Sequence, residues 1–216
     1  MGKRALRACA LVGVGGLLAV LGLLAAMPSR SLADCGGVEE AFPHHHPRGQ
    51  LPPLAIGDST MLLALYDLSA IGYDANAHGC RQYEEALQLI AERKKAGRLP
   101  YMVVIALGAD GSVSASDIGR TLGLLCCTRH LVVLVTPREL GGGSGGDAVT
   151  EHQEAKKHPG RIRLLDWVAY SSGHGSWFQP DGLHLTTSGA QAFTSLLKRA
   201  MPWAYPKQRH RHRRHR

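Results

Sequence analysis

The sequence has no cysteine pair at zinc-ligand spacing with a histidine partner, no Lys-Ser or Lys-Thr behind its one glycine run, and no acid among residues 1–33 or 204–216. The first absence argues against a zinc site. The second excludes a phosphate-binding P-loop at Gly141-Gly-Gly-Ser-Gly-Gly146, which reads instead as a flexible rim loop or lid. The third accounts for the formal charge of +8. Ten of the 25 basic residues lie in those two ends, and the remainder of the chain holds 15 against 17 acids, a net of −2. A near-neutral body argues against nucleic acid as a partner.

What is present is enough for one core: 216 residues at 44% hydrophobic content point to one domain. The chain opens Met-Gly-Lys-Arg-Ala-Leu-Arg and continues in a nearly unbroken apolar run over residues 8–27. This is the pattern of an export segment, and Ser31-Leu32-Ala33 offers small residues for cleavage before Asp34. The run is also long enough to span a bilayer, so an uncleaved anchor is the second reading. Leu32-Ala33-Asp34-Cys35 is a weak match to a lipoprotein box, because Asp34 stands where a small residue belongs. Each reading puts the body outside the cytoplasm, secreted or held at the outer face of the membrane. In that compartment Cys35, Cys80, Cys126 and Cys127 allow three full pairings, of which the one joining Cys126 to Cys127 is strained. At least one disulfide is expected, involving Cys35.

The organisation that follows is residues 1–33 as signal or anchor, 34–53 as a flexible lead-in, 54–203 as the folded domain and 204–216 as a basic tail. The lead-in contains His44-His45-His46 between prolines and no periodic pattern, so a solvated segment is favoured over a metal site. The tail, from Lys207 on, has no apolar residue and cannot pack. Its charge suits anionic wall polymers or lipid headgroups.

Within the domain, short apolar runs alternate with helical spacing. Leu54-Ala-Ile-Gly57 reads as a strand, residues 61–68 as a helix, and residues 73–76 as a weaker strand. Residues 82–96 form a helix stopped by Gly97. Residues 101–107 and 131–136 are apolar throughout, hence strands buried on both faces. Helices are expected from Ser114 or Ser116 to Leu125, over 150–158 and over 187–200, with a fifth strand at 162–166. This alternation means a parallel sheet covered on both sides, a three-layer α/β domain.

Ligands of such sheets bind beyond the carboxyl ends of the strands. Gly57-Asp58-Ser59 ends the first strand and puts Ser59 where a helix begins, among unpaired N–H groups. Asp181-Gly-Leu-His184 lies on the loop after the last strand. An acid three residues before a histidine can hold Nδ1 and turn Nε2 toward a serine. His174, Trp177 and Arg81 are secondary candidates, more simply read as a loop histidine, a packing ring and a salt-bridge partner.

Together these residues resemble the SGNH (GDSL-like) hydrolases, closest to the exported bacterial esterase and acyltransferase-associated domains. The resemblance covers residues 54–200 and rests on Gly57-Asp58-Ser59, Gly79 before Cys80-Arg-Gln, Leu107-Gly-Ala-Asp-Gly111 and Asp181-Gly-Leu-His184. It implies a flavodoxin-like α/β/α fold with a mainly parallel five-stranded sheet. It also implies Ser59 as nucleophile, His184 and Asp181 as its partners, and oxyanion binding through the N–H groups of Ser59 and Gly79. Asp58 is structural in the family. Asp110 stands where the family has asparagine: it donates as a neutral acid, gives way to a backbone N–H, or leaves a weak catalyst. The activity implied is hydrolysis or transfer of small acyl groups on extracellular carbohydrate esters, without metal or organic cofactor. An O-acyltransferase and a non-catalytic glycan-binding module are the alternatives.

Overall fold

In a computed structural model, residues 35–126 and 130–205 are described. The apolar run at 8–27, Cys127 and the basic tail from Lys207 lie outside the described residues. Among the described residues six strands form one sheet: β1 (Val38–Ala41), β2 (Leu54–Gly57), β3 (Asp74–His78), β4 (Met102–Ala106), β5 (Leu131–Val135) and β6 (Ile162–Leu165). Their order is β1-β3-β2-β4-β5-β6, with β1 antiparallel to β3 and every other pairing parallel. The helices are α1 (Leu65–Ala70), α2 (Tyr83–Lys95), α3 (Ala115–Leu124), α4 (Gly146–Lys157), α5 (Trp167–Tyr170), α6 (Thr187–Lys198) and α7 (Met201–Ala204).

The three layers follow from residue alternation. Ala55, Ala75, Ala77, Val104, Ala106 and Val133 face one side, where Met61, Leu65, Leu68, Phe193 and Leu197 cover them. Leu54, Ile56, Val103, Ile105, Val132 and Leu134 face the other, against Tyr83, Leu87, Ile90 and Ile118. Strands buried on both faces need apolar residues at every position, which is why β4 and β5 read so clearly. Small alanines on the first side let its helices come close to the sheet.

Two expectations need correction. The sheet has six strands, not five, and the sixth, β1, lies inside the stretch expected to be a flexible lead-in. Val38, Glu39 and Glu40 are exposed, so no apolar alternation marks the strand. Backbone pairing to β3 and the Cys35–Cys80 disulfide, with Cα atoms 5.3 Å apart, hold it in place. Helical structure after β2 also begins earlier than residue 61, as a tight 3-10 turn over Ser59–Ala64 that runs into α1. Among the described residues no helix is long and apolar enough to cross a membrane.

One buried group works against stability. Glu151 on α4 is 0% exposed and neither carboxyl oxygen has a hydrogen-bond partner among the described residues. Burial, then the nearby Asp147 and Asp166 carboxylates, push its carboxyl well above the ordinary value of 4.5. Above pH 4.5 the folded chain therefore binds more protons at Glu151 than the unfolded chain does. Stability contributed there is present at low pH and falls as pH rises through the elevated value. Glu151→Met should accordingly raise stability at pH 8 by about 1–3 kcal/mol, or roughly 2–12 °C in midpoint. The gain should shrink toward pH 4.5. Thermal melts of both proteins across pH check this, and a pH-independent difference would contradict it.

Candidate active site

β2 pairs β3 on one side and β4 on the other, so the chain leaves the middle of the sheet at a point where strand order reverses. Such a switch point opens a crevice at the carboxyl ends of the strands. Asp58 and Ser59 emerge there. Asp58 is 1% exposed and caps the 3-10 turn: Oδ1 accepts the Thr60 N–H at 3.0 Å and the Thr60 hydroxyl at 2.7 Å. Its Oδ2 accepts the Ala109 N–H at 3.0 Å. Asp58 thus ties the serine turn to the loop after β4. Burial raises its carboxyl above the usual range, and these bonds oppose the rise.

Ser59 is placed by that cap, and two groups converge on its hydroxyl. His184 Nε2 lies 3.0 Å from Ser59 Oγ, and His184 Nδ1 lies 2.6 Å from Asp181 Oδ2. The other Asp181 oxygen accepts the N–H of Leu183 at 2.9 Å and of His184 at 3.0 Å. Burial alone would raise the Asp181 carboxyl. The Leu183 N–H, the His184 ring and the His184 N–H outweigh it and hold the group below its ordinary value of 3.8. Carboxylate, imidazole and hydroxyl therefore stand in one hydrogen-bonded line, an arrangement able to strip a serine of its proton as it attacks.

The second group at the Ser59 hydroxyl is Asp110, whose Oδ2 accepts it at 3.2 Å. The Asp110 side chain therefore faces the serine and does not turn away. Its backbone carbonyl accepts the side-chain amide of Gln82 at 2.8 Å. Gly79 is positioned by register. Gly57 of β2 pairs with Ala77 of β3, so Ser59 and Gly79 each lie two residues beyond a paired position, on one rim. A Cβ on Gly79 would run into the Cys35 carbonyl, and the next residue, Cys80, has a φ of +58°.

The secondary candidates fall differently. Arg81 is 4% exposed and makes no salt bridge among the described residues. It donates to the carbonyls of Gly57 at 3.0 Å and Asn76 at 2.9 Å, binding β2 to β3 behind the serine. His174 is exposed and stacks on Trp177 with ring centroids 3.9 Å apart, and Trp177 stacks in turn on buried Trp167. The glycine run lies against the Asp181 turn, its Gly141 N–H donating to the Asp181 carbonyl at 2.7 Å. Gln82 and Arg138 were not legible beforehand, because their partners are backbone carbonyls that only folding brings near. Among the described residues no group of three or more His, Cys, Asp or Glu side chains is arranged to hold a metal.

No family model matches the chain. The peptidoglycan O-acetyltransferase OatA of Listeria monocytogenes is 30% identical over 151 residues, 68% of this chain and 24% of that protein. YrhL of Bacillus subtilis, to which the name of a peptidoglycan O-acetyltransferase is given provisionally, is 31% identical over 150 residues, 68% of this chain and 23% of its own length. The chain thus spans about a quarter of the curated relatives it matches. Among solved structures, the C-terminal catalytic domain of Streptococcus pneumoniae OatA, a methylsulfonyl adduct, superposes with a TM-score of 0.62 at 24% identity, covering 72% of this chain and 94% of that one. A lipase/acylhydrolase from Enterococcus faecalis superposes at 0.52 with 17% identity, covering 73% of this chain and 100% of that one.

Proposed function

We propose that this chain, which has the fold of SGNH-type hydrolases and is related in sequence to bacterial peptidoglycan O-acetyltransferases, moves small acyl groups between an ester and a hydroxyl on a cell-envelope glycan. Ser59 Oγ attacks the acyl carbonyl while His184 Nε2 takes its proton. The same imidazole returns that proton to the departing alcohol, leaving an ester on Ser59. A second hydroxyl gives its proton to His184 and attacks that ester, and Ser59 Oγ departs and takes the proton back from the imidazolium. A glycan hydroxyl as attacker gives transfer, and water gives hydrolysis. Asp181 keeps Nδ1 protonated and the ring oriented, and the N–H groups of Ser59 and Gly79 face the oxyanion. The hydrogen-bonded line from Asp181 through His184 to Ser59 carries this reading.

Transfer is favoured over hydrolysis because the relatives are named as O-acetyltransferases. Action outside the cytoplasm is supported by the basic and apolar N-terminal segment and by the Cys35–Cys80 disulfide. We assign residues 1–33 to export or anchoring, and the tail from Lys207 to anionic wall polymers.

A fluorophosphonate probe should label the folded domain, and Ser59→Ala should abolish labelling. Incubation with an acetyl ester and a chitooligosaccharide should then yield an acetylated sugar beyond what solvent hydrolysis releases. Free acetate as the sole product would mark a hydrolase. No labelling at any pH between 5 and 9 would favour a glycan-binding module.

A further inference from the structure

The turn that carries Asp181 is held from outside by two donors on the loop after β5. Gly141 N–H reaches the Asp181 carbonyl at 2.7 Å, and Arg138 Nε reaches the Gly182 carbonyl at 3.1 Å. Arg138 is itself fixed: Nη1 donates to Ser171 Oγ at 3.0 Å, and the guanidinium lies 4.0 Å from the centre of the Phe178 ring. These partners are neutral, and burial pushes the guanidinium below its usual value without removing its charge. The turn fits this support closely. Gly182 has a φ of +70°, and a Cβ there would lie 2.8 Å from the Gly141 carbonyl carbon.

The Gly182 carbonyl and the Leu183 N–H are the two ends of one peptide group. That N–H donates to Asp181 Oδ1 at 2.9 Å. A cation donating to the carbonyl end draws electron density from the amide end and strengthens its bond to the carboxylate. Arg138 thus acts on Asp181 through a single peptide unit, although the two side chains need not touch.

We propose that Arg138 is a positioning residue for the Asp181–His184 pair: it fixes the register of the Asp181 turn and polarises the peptide that binds the carboxylate. The proposal rests on Ser59 being the nucleophile activated by that pair. Three variants of the full chain test it, assayed on a small acetyl ester and by the rate of fluorophosphonate labelling, well below each melting temperature. Arg138→Ala should lower kcat and the labelling rate at least tenfold while KM stays within twofold. Arg138→Lys, which keeps a cation able to reach Gly182, should recover at least a third of the lost rate on a logarithmic scale. Ser171→Ala, which loosens the guanidinium without removing it, should fall between wild type and Arg138→Ala. If Arg138→Ala does not fold, the lysine and Ser171 variants decide on the same ordering. The proposal is overturned if kcat and labelling stay within twofold of wild type, if the loss appears in KM, or if lysine is no better than alanine. A wild-type chain that neither labels nor turns over would defeat the Ser59 reading itself, an outcome distinct from any of these.

Discussion

Asp110→Asn should raise the rate of acylation at Ser59 by about 10²–10³-fold, the value of one well-placed oxyanion donor. Ser59 has one hydroxyl proton and two neighbours able to accept it, Asp110 Oδ2 at 3.2 Å and His184 Nε2 at 3.0 Å. A serine that gives its proton to Asp110 is not primed to give it to His184. A carboxylate at that position also repels the negative charge that grows on the substrate oxygen. An amide reverses both effects, since it donates to the oxyanion and leaves the hydroxyl to the imidazole. The Gln82 bond to the Asp110 carbonyl and the Asp58 bond to the Ala109 N–H are made through backbone atoms at positions 109 and 110, so the loop should keep its shape. Measurement of kcat/KM and of fluorophosphonate labelling for both proteins checks this. An unchanged or lower rate would remove Asp110 from the oxyanion side of the site.

Asp181→Asn should lower turnover by about 10⁴-fold, with the fold retained. An asparagine can present an NH₂ to His184 Nδ1, and the ring then carries its proton on Nε2, where it cannot accept one from Ser59. The carboxylate has no such ambiguity. Because the folded chain holds Asp181 below 3.8, the group contributes stability above that pH and loses it only as acidity passes the depressed value. The Asp181–His184 pair is therefore formed throughout the neutral range. A loss of less than tenfold in kcat would show that the carboxylate is dispensable and shift the weight to the oxyanion side.

Much of this was legible in the sequence, for reasons that differ by element. β4 and β5 declared themselves because a strand buried on both faces has no polar position to spare. Ser59, Asp181 and His184 stood out because each sits in a short local pattern at a strand end or helix entrance. β1 was hidden: Val38-Glu-Glu-Ala41 exposes three of its four residues, and its place is set by backbone bonds to β3. α5, four residues long, lacked the length for any periodicity to appear. Arg138 was hidden for another reason. One arginine after a proline carries no spacing signal, and its meaning lies in Gly182, which is 44 positions away in the chain. Sequence pattern thus conveyed the groups able to react, while the groups that hold them through carbonyl oxygens became visible only with the fold.

The Cys35–Cys80 bond bears on how the protein must be made. It joins the approach to β1 to the turn after β3, and Gly79 lies against the Cys35 carbonyl. A chain synthesised where thiols stay reduced would lose the covalent tie at that turn, and the Gly79 N–H would be positioned by strand pairing and the Arg81 hydrogen bonds without it. Preparations from an oxidising route and a reducing one can therefore share a fold and differ in activity, so assays of this domain are comparable only when its thiol content is known.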